Sequence, residues 1–110
     1  MGEGAEYTVR YTDAALAMIE KVTDRRVRKS LLDRADTLVA EPQRKGKALV
    51  GELAGYRSIR AVGQRYRIVY HVDEPSKVVH IVAAALRRQG NKRDVYELLT
   101  RVLGRPPEGS

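Results

Sequence analysis

The sequence predicts one α/β domain of the α+β kind, ordered β-α-α-β-β-β-α, with a mainly antiparallel sheet and a helical hairpin on one face. Three observations predict it. Residues 55–72, GYRSIRAVGQRYRIVYHV, alternate around Gly63-Gln64 as the two strands of a hairpin do. Residues 78–86, VVHIVAAAL, are apolar on both faces apart from His80, the pattern of a strand covered on both sides. Ahead of them, residues 14–39 carry apolar side chains at helical spacing in two blocks separated by Thr23-Asp24. The chain of 110 residues has room for a single domain, 1–110, and a core of that size needs no covalent staple. Residues 1–6 and 104–110 read as loose ends.

The elements follow in order. Tyr7-Thr8-Val9-Arg10-Tyr11 alternates and is rich in β-formers, so it reads as a first strand. Thr12 or Asp13 can cap a helix over 14–21, with Leu16 and Ile19 at helical spacing. Val27, Leu31, Ala35, Leu38 and Val39 mark one face of a longer second helix, and the charges from Arg25 to Asp36 read as its solvated side. Glu41-Pro42 ends it, because the residue before proline avoids the helical region. Residues 42–55 form a basic connector held down by Leu49 and Leu53. Three strands are expected at 56–62, 65–72 and 77–87. The first two join through Gly63-Gln64, where a leading glycine suits a type II′ turn. The next pair joins through Asp73-Glu74-Pro75-Ser76. Gly90-Asn91 breaks the chain, and 92–103 reads as a final helix with Val95, Leu98, Leu99 and Val102 inward. Gly104-Arg105-Pro106-Pro107 stops it.

Composition narrows the function. There is no cysteine, which excludes disulfides and thiol catalysis and removes the best zinc ligands. The two histidines lie apart and no carboxylates cluster, so neither a metal nor another cofactor is expected. No apolar run approaches the length of a membrane span, and MGEGAEYTV has no signal-peptide core; the expectation is a cytoplasmic protein that does not touch membranes. The net charge of +7 is one-sided: residues 1–55 contribute +1 and residues 56–110 contribute +6. Residues 55–70 hold Arg57, Arg60, Arg65 and Arg67 and no acid. A basic field that follows the strands rather than a tail favours a polyanion, RNA or DNA. Arg67 alternates against Tyr66 and Ile68, so it is expected on the sheet face opposite the helical hairpin.

Leu53-Ala54-Gly55-Tyr56-Arg57, then Tyr66-Arg67-Ile68-Val69-Tyr70, then Arg87 followed by Arg93-Asp94-Val95-Tyr96, occur in that order behind a helical hairpin. In this the chain, over about residues 7–103, resembles the RelE/ParE superfamily of bacterial toxins, and its second half is more similar to the RelE branch. The resemblance implies a RelE-like fold and the toxin of a type II toxin–antitoxin pair. It implies a metal-independent endoribonuclease that cleaves mRNA on the translating ribosome and so inhibits translation. It also implies a cognate antitoxin, expected to be acidic and partly disordered when free, that covers Arg60, Arg67 and Arg87 or displaces the final helix.

Such a reaction needs a base for the 2′-hydroxyl, charge stabilisation at phosphorus and an acid for the leaving 5′-oxygen. By resemblance, Arg67 is the phosphate-binding arginine, Arg87 the second arginine on the leaving-group side, and Tyr96 the base-stacking tyrosine. Arg60 falls where the best-known members have a lysine assigned as general base, and Ser58 where they have another. Arginine never loses its charge, so it suits the phosphate and not the base. Lys47, His71 and His80 are the alternatives for the base, and Arg88 competes with Arg87 because Gln89-Gly90-Asn91 lengthens the spacing to Tyr96. Arg57, Arg65, Arg88, Lys92 and Lys47 complete the expected RNA-binding surface. Two other readings stand beside this one: a ParE-like inhibitor of DNA gyrase, and a nucleic-acid-binding domain without catalysis.

Overall fold

The computed structural model describes residues 6–88 and 93–107. The chain runs β1 (Thr8–Tyr11), α1 (Asp13–Glu20), α2 (Arg25–Asp36), β2 (Lys47–Ala48), β3 (Arg57–Ala61), β4 (Tyr66–Asp73), β5 (Val78–Leu86) and α3 (Asp94–Leu103), with short 3-10 turns at Thr37–Val39, Pro42–Arg44 and Gly51–Leu53. The strands form one sheet in the order β1-β5-β4-β3-β2. Among the described residues β1 runs parallel to its neighbour, β5, and the other ladders are antiparallel. The α+β class and the mainly antiparallel sheet are therefore as the sequence predicts.

The first two helices start where a side chain replaces the missing backbone acceptor. The Thr12 hydroxyl accepts from the Ala15 N–H at 3.1 Å and opens α1. The Asp24 carboxylate accepts from the Arg26 N–H at 2.9 Å and opens α2. The second helix is shorter than its apolar pattern, because Leu38 and Val39 continue in a 3-10 turn. The final helix starts at Asp94; the expected Gly90-Asn91 break and residue 92 lie outside the described residues.

The sheet carries a core on each face. Ala15, Ile19, Leu31, Ala35 and Leu38 pack on Ile59, Ala61, Ile68, Tyr70, Val79, Ile81 and Ala84, forming the face under α1 and α2. Val95, Leu98 and Leu99 of α3 pack on Val69, Val82 and Ala83, forming the other. Even positions of β4 serve the first core and odd positions the second, as the period of two requires. On β5 this alternation breaks. Val69 pairs with Ala83 and Tyr70 with Ile81, so Val82 is the extra residue of a bulge. Two consecutive residues, Val82 and Ala83, thereby face α3.

The connector is fastened from beneath. The buried Tyr70 hydroxyl lies 2.9 Å from the Pro42 carbonyl and 2.8 Å from that of Lys45. Residues 47–48 become a short edge strand, β2, which the sequence reading had left inside the connector. Gly46 precedes it with φ +63, and a Cβ there would come within 2.3 Å of the Ser58 carbonyl oxygen and Ile59 Cγ2. The Gly63-Gln64 turn differs from the expected type. Both residues have positive φ, 60° and 73°, and the Arg65 N–H donates to the Val62 carbonyl at 3.2 Å. Val62 before them is also left-handed, with φ 54°, so three consecutive positive φ values stand where a type II′ turn would have one, and Gln64 accepts a conformation that type II′ would spare it. Among the described residues no helix is long and apolar enough to cross a membrane.

Candidate functional site

On the α3 face, β3 outruns its short neighbour. The edge strand β2 pairs with Arg57 and Ser58, so Ile59–Ala61 have no strand partner on that side among the described residues. A cleft of about 570 Å³ opens there, lined by Arg34, Lys47, Ser58, Arg60, Arg67 and Asp94 over a floor that includes Leu49, Leu53 and Val95. Register explains the grouping. Arg60 is directly opposite Arg67 across the β3–β4 ladder, and Lys47 is directly opposite Ser58 across β2–β3. Cross-strand partners share a face, so these four project together.

Arg67 is the most enclosed of the cations, with 18% of its side chain exposed. Its Nη1 donates to Asp94 Oδ2 at 3.0 Å. Asp94 opens α3, and the same oxygen accepts the Arg88 backbone N–H at 3.1 Å. Burial pushes the Arg67 guanidinium below its usual pKa; Asp94 opposes that shift, and the charges of Arg87 and Arg60 add to it. The last effect places both arginines within electrostatic reach of Arg67. Arg60 is anchored from two sides: its Nη1 donates to the Gln64 side-chain oxygen at 2.8 Å, and its carbonyl accepts from Arg34 Nε at 2.9 Å. Arg87 donates from Nη1 to the Gln64 backbone carbonyl at 2.9 Å. Its Nε is shielded from water and has no hydrogen-bond acceptor among the described residues.

The bulge positions Arg87. On an unbroken β5, Arg87 would share a face with Ile81, under α1 and α2. With Val82 inserted, Ala85 pairs with Arg67, and Arg87 follows two residues later on that side.

The other candidates are scattered. Arg57 pairs with Tyr70 and turns to the α2 face, where its Nε and Nη2 donate to the Lys45 carbonyl at 3.2 and 3.0 Å. Arg65 is exposed in the turn and borders a second hollow with Met18, Val22 and Arg101. Arg88 is exposed, 3.8 Å from Glu97. Tyr96 is half-buried on α3 with the Arg93 guanidinium 4.1 Å over its ring, and it does not line the cleft. Lys92 lies outside the described residues. His71 faces the Arg67 side but stacks on His80, ring centroids 4.7 Å apart, four residues along β4 from Arg67, about 13 Å away. His80, an alternative for the base, is half-buried and held by that stacking.

Three residues of the site escaped the sequence reading. Arg34 was grouped with the solvated face of α2. Gln64 was read only as a turn residue. Asp94 was read only as part of a motif. The one signal available for Asp94 was that it stands alone as an acid between Glu74 and Glu97.

The profile of the family described as ParE toxin of type II toxin–antitoxin system, parDE, matches residues 9–90. The fold superposes on the RelBE2 toxin–antitoxin complex of Mycobacterium tuberculosis with a TM-score of 0.68 and 35% identity, over 74% of this chain and 99% of that one. A double-mutant E. coli RelE in the free state gives a TM-score of 0.68 at 20% identity, covering 90% of this chain and 96% of that one. A YoeB/ParE toxin from Agrobacterium tumefaciens gives 0.62 at 21%, over 74% and 99%. A search of curated proteins finds no match. The match over residues 9–90 and the likeness to the mycobacterial toxin complex identify the chain as a type II toxin–antitoxin toxin of the RelE/ParE superfamily.

Proposed function

We propose that this toxin is a ribosome-dependent mRNA endoribonuclease that needs no metal and inhibits translation. The observation that carries the reading is the pair Arg60 and Arg67 in one cleft, with Arg87 in the adjoining hollow of the β3–β4 turn acting electrostatically on Arg67, its Nε shielded and lacking an acceptor among the described residues. A buried donor without a partner costs about 1–3 kcal/mol, which an anionic oxygen would recover. Guanidinium groups match phosphate oxygens and hold their charge throughout, so they stabilise the extra negative charge of the phosphorane-like transition state. In this reading Arg67 holds the scissile phosphate, Arg87 serves the leaving-group side and Arg60 steadies a non-bridging oxygen. Lys47 and the exposed Arg65 and Arg88 guide the strand, while Tyr96, at the edge of α3, stacks on a base.

The test is single-turnover cleavage of mRNA on programmed ribosomes, with the 5′ ends mapped. Cleavage inside translated codons supports the proposal; intact mRNA at saturating toxin overturns it. A gyrase-inhibitor reading rests on the ParE description of the matching family. A plasmid supercoiling assay run in parallel decides for it if gyrase is blocked while mRNA stays whole. The partner in either case is an antitoxin. The RelBE2 and RelBE neighbours are toxin–antitoxin complexes, and the basic cleft suits an acidic segment that orders on binding. Co-expression with the adjacent gene product is expected to restore growth.

A further inference from the structure

Among the described residues, the cleft that holds Arg34, Arg60 and Arg67 contains one carboxylate, that of Asp94. Its other polar lining groups are Arg34, Lys47, Ser58, Arg60 and Arg67, which are cations and a hydroxyl. An arginine cannot take up a proton, and an ammonium must first lose one. Resting on the nuclease reading, we propose that Asp94 is the general base that activates the 2′-hydroxyl of the nucleotide whose phosphate Arg67 holds.

Three features place it there. The carboxylate is bonded to Arg67 Nη1 at 3.0 Å and only 12% of the Asp94 side chain is exposed, so it sits within a bond's reach of the phosphate position and is largely screened from water. A guanidinium has five N–H donors in a planar fork, so it can hold a carboxylate on one edge and a phosphate on another. Second, Asp94 is held independently of Arg67: its Oδ2 also accepts the Arg88 N–H at 3.1 Å. A base fixed by two donors keeps its place when substrate competes for the arginine. Third, the two histidines are stacked on each other across the β4–β5 ladder and do not line the cleft.

The step balances as follows. The Asp94 carboxylate takes the 2′-hydroxyl proton, the 2′-oxygen forms a bond to phosphorus, and the bond from phosphorus to the 5′-oxygen breaks. The departing 5′-oxygen takes a proton from water, and Asp94 later returns its proton to water. The products are a 2′,3′-cyclic phosphate and a 5′-hydroxyl.

A counterion that merely parks Arg67 would look the same at rest and behave differently on substitution. Asp94→Asn and Asp94→Ser both keep an oxygen for the Arg88 N–H and remove the base. The measurements are single-turnover cleavage on programmed ribosomes and affinity for ribosomes carrying an mRNA with a 2′-deoxynucleotide at the scissile position. The base assignment expects the cleavage rate to fall about 100-fold or more, with affinity unchanged or tighter because a negative charge beside the phosphate is gone. Asp94→Glu keeps a carboxylate and is expected to cleave at least tenfold faster than the Asn and Ser variants. A rate that is unchanged or raised in Asn or Ser overturns the proposal and makes Asp94 an inhibitory counterion. So does a Glu variant no faster than whichever of the other two folds. Wild-type protein that cleaves nothing overturns the nuclease reading itself, whereas cleaving wild type with an equally active Asn variant overturns only this assignment.

Discussion

Arg67 is a charge held where water is scarce, and that defines what replacing it would do. Its partner Asp94 is 12% exposed, so removing the guanidinium strands a carboxylate. Arg67→Ala is therefore expected to lower the cleavage rate about 100- to 1,000-fold, the usual effect of deleting one preorganised donor to a developing anion. It should weaken ribosome binding little, because one cation among many contributes modestly to a diffuse contact. Arg67→Lys is expected to recover only a small part of the rate, since a point charge cannot grip carboxylate and phosphate with one plane. Single-turnover rates at saturating ribosome check both variants. His71 carries a different kind of prediction. Burial pushes its pKa below the ordinary 6.5, His80 stacked on it pushes the same way, and Asp73 opposes. The folded protein thus holds the proton less well than the unfolded chain. Its contribution to stability is whole above about pH 6.5 and is lost as pH falls through the depressed folded value. Thermal melts from pH 7.5 down to pH 5 should show that decline, and His71→Gln should flatten it over the same window.

At the scale of elements, the site depends on turns and edges more than on the strands themselves. Gly46 lets the chain pass against Ser58 and Ile59 before it forms β2. Gly46→Ala combines a left-handed alanine with contact on a backbone oxygen that cannot move aside; the expected loss is about 2–4 kcal/mol, read as a lower midpoint in urea. The hairpin turn holds two arginines through one residue, Gln64, by its side-chain oxygen and its backbone carbonyl. Gln64→Gly keeps the positive φ and the carbonyl, so Arg87 stays anchored while Arg60 is released. A cleavage rate several-fold lower, with an unchanged melting temperature, is the expected outcome. Much of this level was legible in the sequence. Thr12 or Asp13 and the pair Thr23-Asp24 announced the two helix starts, and alternation around Gly63-Gln64 put Arg67 on the face opposite the helical hairpin. The rest was not, for physical reasons. Strict alternation gives no hint that Val82 is inserted, and that residue turns Arg87 from the helix face to the cleft face. Arg57, two residues before a core isoleucine, obeyed alternation and left the site for the Lys45 carbonyl. Asp94 meets Arg67 only because α3 packs its first turn over β4, a contact spanning 27 positions that no local pattern encodes.

For the whole molecule, the balance of +6 in residues 56–110 against +1 in residues 1–55 concentrates positive charge on the half of the chain that supplies Arg60 and Arg67 to the cleft, while Arg34 and Lys47 come from the other half. Such a field affects arrival and binding more than the chemical step, because charges beyond the first contact are screened over about 8–10 Å at physiological salt. The cleft offers Arg60, Arg67 and Lys47 to a single strand, and the adjoining hollow of the turn adds Arg87. If each neutralises one phosphate, counterion release sets a slope of about −3 in log affinity against log salt. Wild-type affinity for programmed ribosomes, measured across a salt series, is expected to follow a slope at least that steep, since exposed cations such as Arg65 and Arg88 can add to it. Lys47→Ala should make the slope shallower by about 0.7 and leave the single-turnover rate of the saturated complex within a few-fold of wild type. Arg57→Ala is the control. Its guanidinium is committed to the connector on the opposite face, so its loss should lower stability and leave the salt slope unchanged. A shallower slope for Arg57→Ala together with an unchanged one for Lys47→Ala would mean that the strand enters along the α2 face, and that the cleft over β3 is not where the polyanion binds.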